Sequence, residues 1–188
     1  RKIQNSYNGV LTGKDLSYGG SLVRTESTGY GIIYLTDEVL SHHGLSLKNK
    51  TLVVSGAGNV ALHTIEKASE LGAKVLTASD SQGFIYDPAG IDLDLLKDIK
   101  LERRLRISEY AKEKPGSTYY PGERPWKIKA DIVIPCATQN ELDIDDLKTI
   151  IENGSLALIE GSNGPSSLEA MEYAKGQDII FVPSKAAN

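Results

Sequence analysis

The stretch VVSGAGNVA, from Val53 to Ala61, constrains the possible folds of this chain more than any other segment. It places Gly56, Gly58 and Ala61 after an unbroken apolar run and before a helical pattern. The first glycine permits a tight turn, the second lets backbone approach a pyrophosphate, and the small third residue lets the helix pack close to the strand. The helix N-terminus then favours an anion. The stretch therefore predicts a dinucleotide-binding turn; the alternative is a tight strand–helix turn without a ligand.

Strand and helix patterns alternate along the rest of the chain. Strands are predicted at TLVVSG, KVLTASD, ADIVIP, LALIE and DIIFV. Helices are predicted at about 27–43, 59–71, 92–114, 143–153 and 165–175, after an extended lead-in over 1–25. This order predicts one α/β domain over 1–188: a Rossmann-type, doubly wound, mostly parallel sheet with helices on both faces.

Composition excludes several classes of function. The 188 residues carry a net charge of −4, which gives no electrostatic reason to expect nucleic acid or an anionic membrane as a partner. There is no long apolar run and no signal-peptide pattern, and the single cysteine, Cys136, is expected to be a small buried residue. The three histidines lack metal-ligand spacing, so no metal is expected. These features together predict a cytoplasmic protein.

An acidic residue follows the glycine motif at the distance that a dinucleotide site requires. Asp80 ends the second predicted strand, twenty-four residues after Gly56, where a carboxylate can accept hydrogen bonds from both ribose hydroxyls. The alternative is a turn-forming residue at the strand end. A carboxylate also repels the 2′-phosphate of NADP, so use of NADP requires donors and cations nearby. The candidates are Ser81, Lys100, Arg103, Arg104 and Arg106, and most of these cations could equally form a solvated helix face. These residues leave the choice between NAD and NADP open.

Two polar loops follow later strands. CATQNEL comes after DIVIP, and GSNGPSS comes after LALIE. In open α/β sheets, ligands bind beyond the carboxyl ends of the strands, so we expect both loops beside the nicotinamide and its ribose. For Asn140 and Asn163, turn formation and helix capping are equally good explanations. Pro165 is expected to be the first residue of the following helix.

Six stretches, taken together and in order, resemble the hexameric glutamate dehydrogenases. They are YNGVLTGKDLSYGGSLVRTESTGYG, VVSGAGNVA, TASDSQG, PCATQNELD, EGSNGPSS and VPSKAAN, and they extend from about Tyr7 to Asn188. The part of that family which they resemble is the C-terminal coenzyme-binding domain, a modified Rossmann fold with one strand reversed.

The resemblance implies a reaction and a set of partners. The family interconverts L-glutamate with 2-oxoglutarate and ammonia, and the similarity is to the branch that uses NADP, with NAD also possible. The family's catalytic residues and most of its glutamate-binding residues belong to an N-terminal domain that has no counterpart in these 188 residues. We therefore expect no catalytic residue here, an isolated domain that binds coenzyme without turnover, and a homo-hexamer for the full enzyme.

The resemblance also implies the coenzyme contacts. At the nicotinamide end they are Thr28, Ala137, Thr138, Asn163 and Asn188. At the pyrophosphate they are Gly56, Gly58, Asn59 and Val60. At the adenosine ribose and its 2′-phosphate they are Asp80, Ser81 and Lys100.

Two other functions are compatible with a dinucleotide fold. One is the coenzyme domain of a different amino-acid dehydrogenase, such as one acting on leucine or phenylalanine, although SYGGSLVRTESTGYG favours glutamate. The other is a non-enzymatic nucleotide-sensing module, suggested by the missing catalytic half. The segments TGYG and CATQNEL favour an enzyme, because a sensor does not need a nicotinamide pocket.

Overall fold

A five-stranded, wholly parallel sheet forms the centre of the molecule. The structure, a computed structural model, describes residues 25–188, so the predicted lead-in falls almost entirely outside the described residues. The strands are β1 Thr51–Val54, β2 Lys74–Val75, β3 Thr77–Asp80, β4 Gly83–Tyr86, β5 Thr118–Pro121, β6 Ile132–Ile134, β7 Ala157–Ile159 and β8 Ile180–Val182. The sheet has the order β2-β1-β6-β7-β8. The predicted parallel α/β architecture is confirmed.

Helices cover both faces of this sheet. They are α1 Ser27–His42, α2 Asn59–Glu70, α3 Leu93–Lys97, α4 Ser108–Glu113, α5 Ile144–Glu152, α6 Leu168–Ala174 and α7 Ser184–Ala187. Because side chains alternate along a strand, Leu52 and Val54 enter one apolar core with α1 and α2. Val53 points the other way, into a second core with Leu147 of α5 and Ala170 of α6. Among the described helices, none is long and apolar enough to cross a membrane.

The reversed strand implied by the family resemblance is β4. It pairs antiparallel with β3 on one side and with β5 on the other, in a separate three-stranded sheet. The two sheets are continuous along the chain, because only Leu76 separates β2 from β3. The N–H of Leu76 donates to Leu52 O of β1 at 2.8 Å. Neither GFIY nor TYYP was predicted to form a strand, and the single predicted strand KVLTASD is divided at Leu76.

The charged segment 92–114 is not one helix, so that prediction is wrong. It consists of α3, a π-helical turn over Asp98–Glu102, an irregular stretch and α4, with Arg104 in the left-handed region at φ +54°. The Tyr110 hydroxyl accepts a hydrogen bond from Asp92 N at 2.7 Å and donates to the buried Asp87 carboxylate at 2.8 Å. A continuous helix would separate residues 92 and 110 by about 27 Å. The chain therefore folds back on itself.

The other predicted helices are found, with one shifted start. The predictions for α1, α2 and α5 agree with the structure to within one residue at each end. Helix α6 begins at Leu168, three residues after Pro165, because the Ser167 hydroxyl accepts a hydrogen bond from Ala170 N and caps the helix there. The short α7 was not predicted.

A glycine sets the crossing of α1 and α2. A Cβ added to Gly29 would lie 2.6 Å from the Cβ of His63 and 2.7 Å from Thr64 N. No larger residue fits there without moving a helix. The glycine of the TGY segment thus allows the close approach of α1 to the helix that follows the glycine turn.

Candidate functional site

A cleft of about 640 Å³ opens at the carboxyl ends of β1, β3 and β6. Parallel α/β sheets bind their ligands at this edge. The predicted site residues that line it are Gly56, Gly58, Asp80, Ser81, Lys100, Ala137 and Thr138. The cleft therefore joins the glycine turn, the end of the second predicted strand and the CATQNEL loop, three segments separated by up to eighty residues in sequence.

Gly56 is required by the protein's own packing. Its φ is +86°, and a Cβ there would lie 3.0 Å from Cys136 O. Its N–H donates to Ser79 Oγ at 2.7 Å, and its carbonyl accepts from Ser79 N at 3.1 Å. These contacts bind the glycine turn to β3 and place the end of that strand beside it.

Gly58 is different, because nothing within residues 25–188 requires it to be small. It is the exposed N-terminal capping residue of α2, with extended backbone, and a Cβ there would have no atom of those residues within 4 Å. That open space belongs to the cleft. The first N–H groups of α2 have no acceptor within the helix and carry partial positive charge. A glycine that leaves helix-end donors accessible fits the close approach of a pyrophosphate.

The Asp80 carboxylate is held at the strand end. Oδ1 accepts from Gln82 N at 2.9 Å, and Oδ2 accepts from Ile107 N at 3.3 Å. The side chain thus forms the turn after β3 while it lines the cleft. Both interpretations of Asp80, as a turn former and as a residue facing the ligand, are compatible with this position.

Of the four predicted cations, Lys100 lines the cleft, and Arg106 contacts two side chains that line it. Arg106 Nη1 donates to Ser81 Oγ at 3.1 Å and lies 3.9 Å from Asp80 Oδ2. Lys100 lines the cleft, and its Nζ donates to Leu105 O at 3.1 Å. Arg103 instead forms ion pairs with carboxylates on its own segment, Asp98 at 2.7 Å and Glu113 at 2.8 Å. Arg106 and Lys100 are thus placed to offset the charge of Asp80.

Glu141 is a residue of the cleft that sequence reasoning missed. Its Oε1 accepts from Ala137 N at 2.9 Å and from Thr138 N at 3.3 Å. The residue is 7% exposed, and burial raises the pKa of its carboxyl group above the usual value. Nothing in the polar string CATQNEL distinguishes a buried glutamate from a solvated one, and only its position four residues after Ala137 hinted at a contact.

The remaining predicted contacts lie around the cleft but are not among the described residues that line it. Asn59 Nδ2 donates a hydrogen bond to Thr25 O, just before α1. This contact holds the first turn of α1, which contains Thr28, beside the first turn of α2, which contains Val60. Asn188 Nδ2 donates to Gly161 O at 2.8 Å, on the loop after β7. Asn163 is exposed on that same loop.

Cys136 is buried, as expected. It is 7% exposed, and burial raises the pKa of its thiol to about 12, so it is not a thiolate nucleophile at neutral pH. Its backbone N–H donates to Ser55 Oγ at 2.9 Å, which joins the loops after β1 and β6. Within residues 25–188, no three His, Cys, Asp or Glu side chains are grouped so as to hold a metal ion.

A parallel sheet with a glycine turn and a polar cleft at its carboxyl edge defines a Rossmann-like α/β protein. The chain belongs to the Glutamate/Leucine/Phenylalanine/Valine dehydrogenase family, whose model matches residues 19–188.

Known relatives give a consistent picture. The chain is 48% identical to the NADP-specific glutamate dehydrogenase of Haemophilus influenzae over 191 residues, covering 100% of this chain and 42% of that protein. It is also 48% identical to the NAD(P)-specific glutamate dehydrogenase of Xylanibacter ruminicola, covering 100% of this chain and 43% of that protein. The crystal structure of Plasmodium falciparum glutamate dehydrogenase superposes with a TM-score of 0.91 at 45% identity, covering 99% of this chain and 40% of that one. The chain thus spans about two-fifths of the length of these relatives.

Proposed function

We propose that this chain is the C-terminal coenzyme-binding domain of a glutamate dehydrogenase, comprising residues 1–188. The full enzyme would interconvert L-glutamate with 2-oxoglutarate and ammonia, using NADP, with NAD also possible. The names of the relatives from Haemophilus influenzae and Xylanibacter ruminicola support this choice within the family.

The observation that carries the proposal is the open space beside Gly58. No packing contact within the described part of the chain requires the absence of a side chain there, whereas a pyrophosphate that must reach the N–H groups of α2 does require it. Asn59 and Val60 form the first turn of that helix and would flank the same phosphates. When bound, the nicotinamide would accept or supply the hydride; the residues of this chain bind and orient it.

NADP is favoured over NAD by the charges around Asp80. The Ser81 hydroxyl and the Arg106 guanidinium are already hydrogen-bonded to each other, and Lys100 lines the cleft nearby. Two cations and a hydroxyl form a binding site for the 2′-phosphate, and they offset the repulsion from the Asp80 carboxylate. Without these cations, Asp80 would favour the free ribose hydroxyls of NAD.

The nicotinamide would occupy the opposite end of the cleft. Ala137 and Thr138 line that end, and Thr28, Asn163 and Asn188 surround it on the first turn of α1, the loop after β7 and the end of α7. Amide and hydroxyl groups of these kinds suit a neutral carboxamide and a ribose.

The catalytic residues of the full enzyme are proposed to lie in the part of the relatives that has no counterpart in this chain. The 188 residues should then bind coenzyme but not turn over glutamate. The resemblance further suggests a homo-hexamer in the cytoplasm for the full enzyme.

A direct titration tests the proposal. NADPH and, separately, NADH are added to this chain, and binding is followed by the fluorescence of the reduced nicotinamide and of Trp126. Tighter binding of NADPH supports both the coenzyme site and the 2′-phosphate contacts. Equal or tighter binding of NADH keeps the coenzyme site and removes the role of Ser81, Lys100 and Arg106 in binding phosphate. Binding of neither at millimolar concentration contradicts the proposal.

The amino-acid substrate needs a separate test, because the family includes leucine, phenylalanine and valine dehydrogenases. Turnover of glutamate by the full-length enzyme, with no activity on branched or aromatic amino acids, is the expected result. The reverse preference would assign the domain to another branch of the family.

A further inference from the structure

We propose that Glu141 is a positioning residue that holds the nicotinamide end of the cleft in its binding shape. This inference rests on the proposed coenzyme site. The Glu141 carboxylate is hydrogen-bonded to the protein and does not act as a free charge in the cleft. The side-chain carboxylate and the backbone carbonyl of Glu141 each join separate segments of the cleft wall.

The first segment is the loop after β6. Ala137 N and Thr138 N both donate to Glu141 Oε1, at 2.9 and 3.3 Å. Two backbone N–H groups on one carboxylate oxygen fix the direction of both peptide planes. Ala137 and Thr138 are exposed, and the Thr138 carbonyl also accepts a hydrogen bond from Ser162 Oγ at 3.4 Å. The Glu141 carboxyl group is therefore the shared acceptor that orients two consecutive peptide N–H groups of this loop.

The second segment is the loop after β1, just before the glycine turn. The Ser55 side chain lies close enough to the Glu141 carboxyl group to oppose the rise in its pKa, and Ser55 Oγ accepts from Cys136 N at 2.9 Å. Ser55 is fully buried and directly precedes Gly56. Glu141 thus links the loop that faces the nicotinamide to the turn that faces the pyrophosphate.

The third segment is the wall formed by residues 124–126. The carbonyl oxygen of Glu141 accepts hydrogen bonds from the Arg124 guanidinium and from Trp126 Nε1, the latter at 3.3 Å. Arg124 also lies 3.7 Å from an Asp146 carboxylate oxygen in the first turn of α5. Three separate stretches of chain therefore meet at one residue.

A buried carboxylate is costly unless donors satisfy it, so its presence here indicates a specific task. Glutamine has the same shape and keeps an acceptor oxygen for the two amides, whereas alanine removes the acceptor altogether. The comparison of these two substitutions separates the hydrogen-bonding role from the mere presence of a side chain.

The test uses two ligands that occupy different lengths of the cleft. NADPH requires both ends, and adenosine 2′,5′-bisphosphate requires only the adenosine end. With Glu141→Ala, the Kd for NADPH should rise at least about tenfold, because the loop that faces the nicotinamide loses the acceptor that orients two of its N–H groups. The Kd for the bisphosphate should stay within about twofold. Glu141→Gln should restore most of the NADPH affinity. Glu172→Ala is the matched control, because Glu172 is an exposed glutamate on α6 that does not line the cleft.

Each outcome decides the question. Equal weakening of both ligands would show general damage, and unchanged NADPH binding would show that the loop keeps its place alone; either result overturns the inference. If Glu141→Ala does not fold, Ser55→Ala takes its place and should weaken NADPH binding selectively, by less than tenfold. A wild-type chain that binds the bisphosphate but not NADPH, or neither, would instead contradict the proposed function.

Discussion

The two ends of the cleft are built in opposite ways. At the end of β3, Asp80, Ser81 and Arg106 meet in an ion pair and hydrogen bonds close to solvent, and the Arg106 side chain is 54% exposed. At the end of β6, the N–H groups of Ala137 and Thr138 share one acceptor, the carboxylate of Glu141, a residue that is 7% exposed.

The difference has consequences for stability. Exposed ion pairs contribute little to the free energy of folding. Substitution of the ion-paired residues at the adenosine end can therefore change coenzyme preference with little loss of stability. The buried carboxylate at the other end carries both the shape of the site and part of the packing, so changes there affect binding and stability together. Gly58 lies between the two ends of the cleft, and a Cβ there would contact no described residue at either end.

The largest effect is expected at Gly58, on which both ends depend equally. Gly58→Val should weaken binding of NADPH and of NADH at least about 100-fold, because its side chain would occupy the approach of the pyrophosphate. The loss of fold stability should be small, since a Cβ there has no neighbour within 4 Å among residues 25–188. Calorimetric titration and thermal unfolding measure the two effects. Unchanged affinity for either coenzyme would remove the pyrophosphate from this position.

Arg106→Ala tests the adenosine end alone. The Kd for NADPH should rise about tenfold, as expected for loss of one charge-assisted contact to phosphate, and the Kd for NADH should hardly change. The melting temperature should not move, because the side chain is mostly exposed. Arg103→Ala is the matched control, since Arg103 is paired with Asp98 and Glu113. A parallel loss of NADH affinity would contradict the assignment to the 2′-phosphate.

Asp80→Ala should give a smaller change in coenzyme preference. Removing the carboxylate relieves repulsion of the 2′-phosphate, so the affinity ratio of NADPH to NADH should rise by about three- to tenfold. Both carboxylate oxygens accept backbone hydrogen bonds, so unfolding should also become easier, by about 1 kcal/mol. Competition titrations and denaturant unfolding supply both numbers. An unchanged ratio would mean that Asp80 only forms the turn.

The smallest effect is a pH dependence at the nicotinamide end. Burial raises the pKa of the Glu141 carboxyl group, so the folded chain binds this proton more tightly than the unfolded chain. Its contribution to stability is therefore greatest below the ordinary glutamate pKa and is lost as the pH rises through the raised one. Glu141→Gln does not titrate, so its free energy of unfolding relative to wild type should increase with pH across that window. A difference independent of pH would show that the carboxyl group has an ordinary pKa.

The sequence predicted the parts of this fold that depend on local periodicity. The β-branched run of β1 and the apolar stripes of α1, α2 and α5 have ordinary spacing. The helix bounds were accurate to within one residue, and β1 ends two residues before the predicted end of TLVVSG. The segment 92–114 also looked helical, but its break is caused by a distant contact, the Tyr110 hydroxyl with Asp87 and Asp92. Arg104 takes a left-handed conformation with no glycine to mark it.

The site residues were also predictable only where local sequence patterns determine their positions. Gly56, Asp80 and the CATQNEL loop were found because strand ends in a parallel sheet share one edge. Which of the neighbouring cations faces the cleft was not predictable, since the irregular stretch after Glu102 sends Arg106 towards Ser81 while Arg103 stays with its own segment. Glu141 was missed because burial of a polar loop residue depends on segments far away in sequence.

The pairing of β1 with β6 also governs how the chain is made. Asp131 accepts hydrogen bonds from Thr51 N and Thr51 Oγ1, both at 2.8 Å, across a separation of 80 residues. At translation rates of about 5–20 residues per second, β1 waits roughly 4–16 s for its partner to be synthesised. During that interval the edge of β1 that pairs with β6 keeps its backbone N–H and C=O groups open to other chains, and the closure of so long a loop makes folding slow. The strand that leads into the glycine turn therefore completes its pairing only late in synthesis.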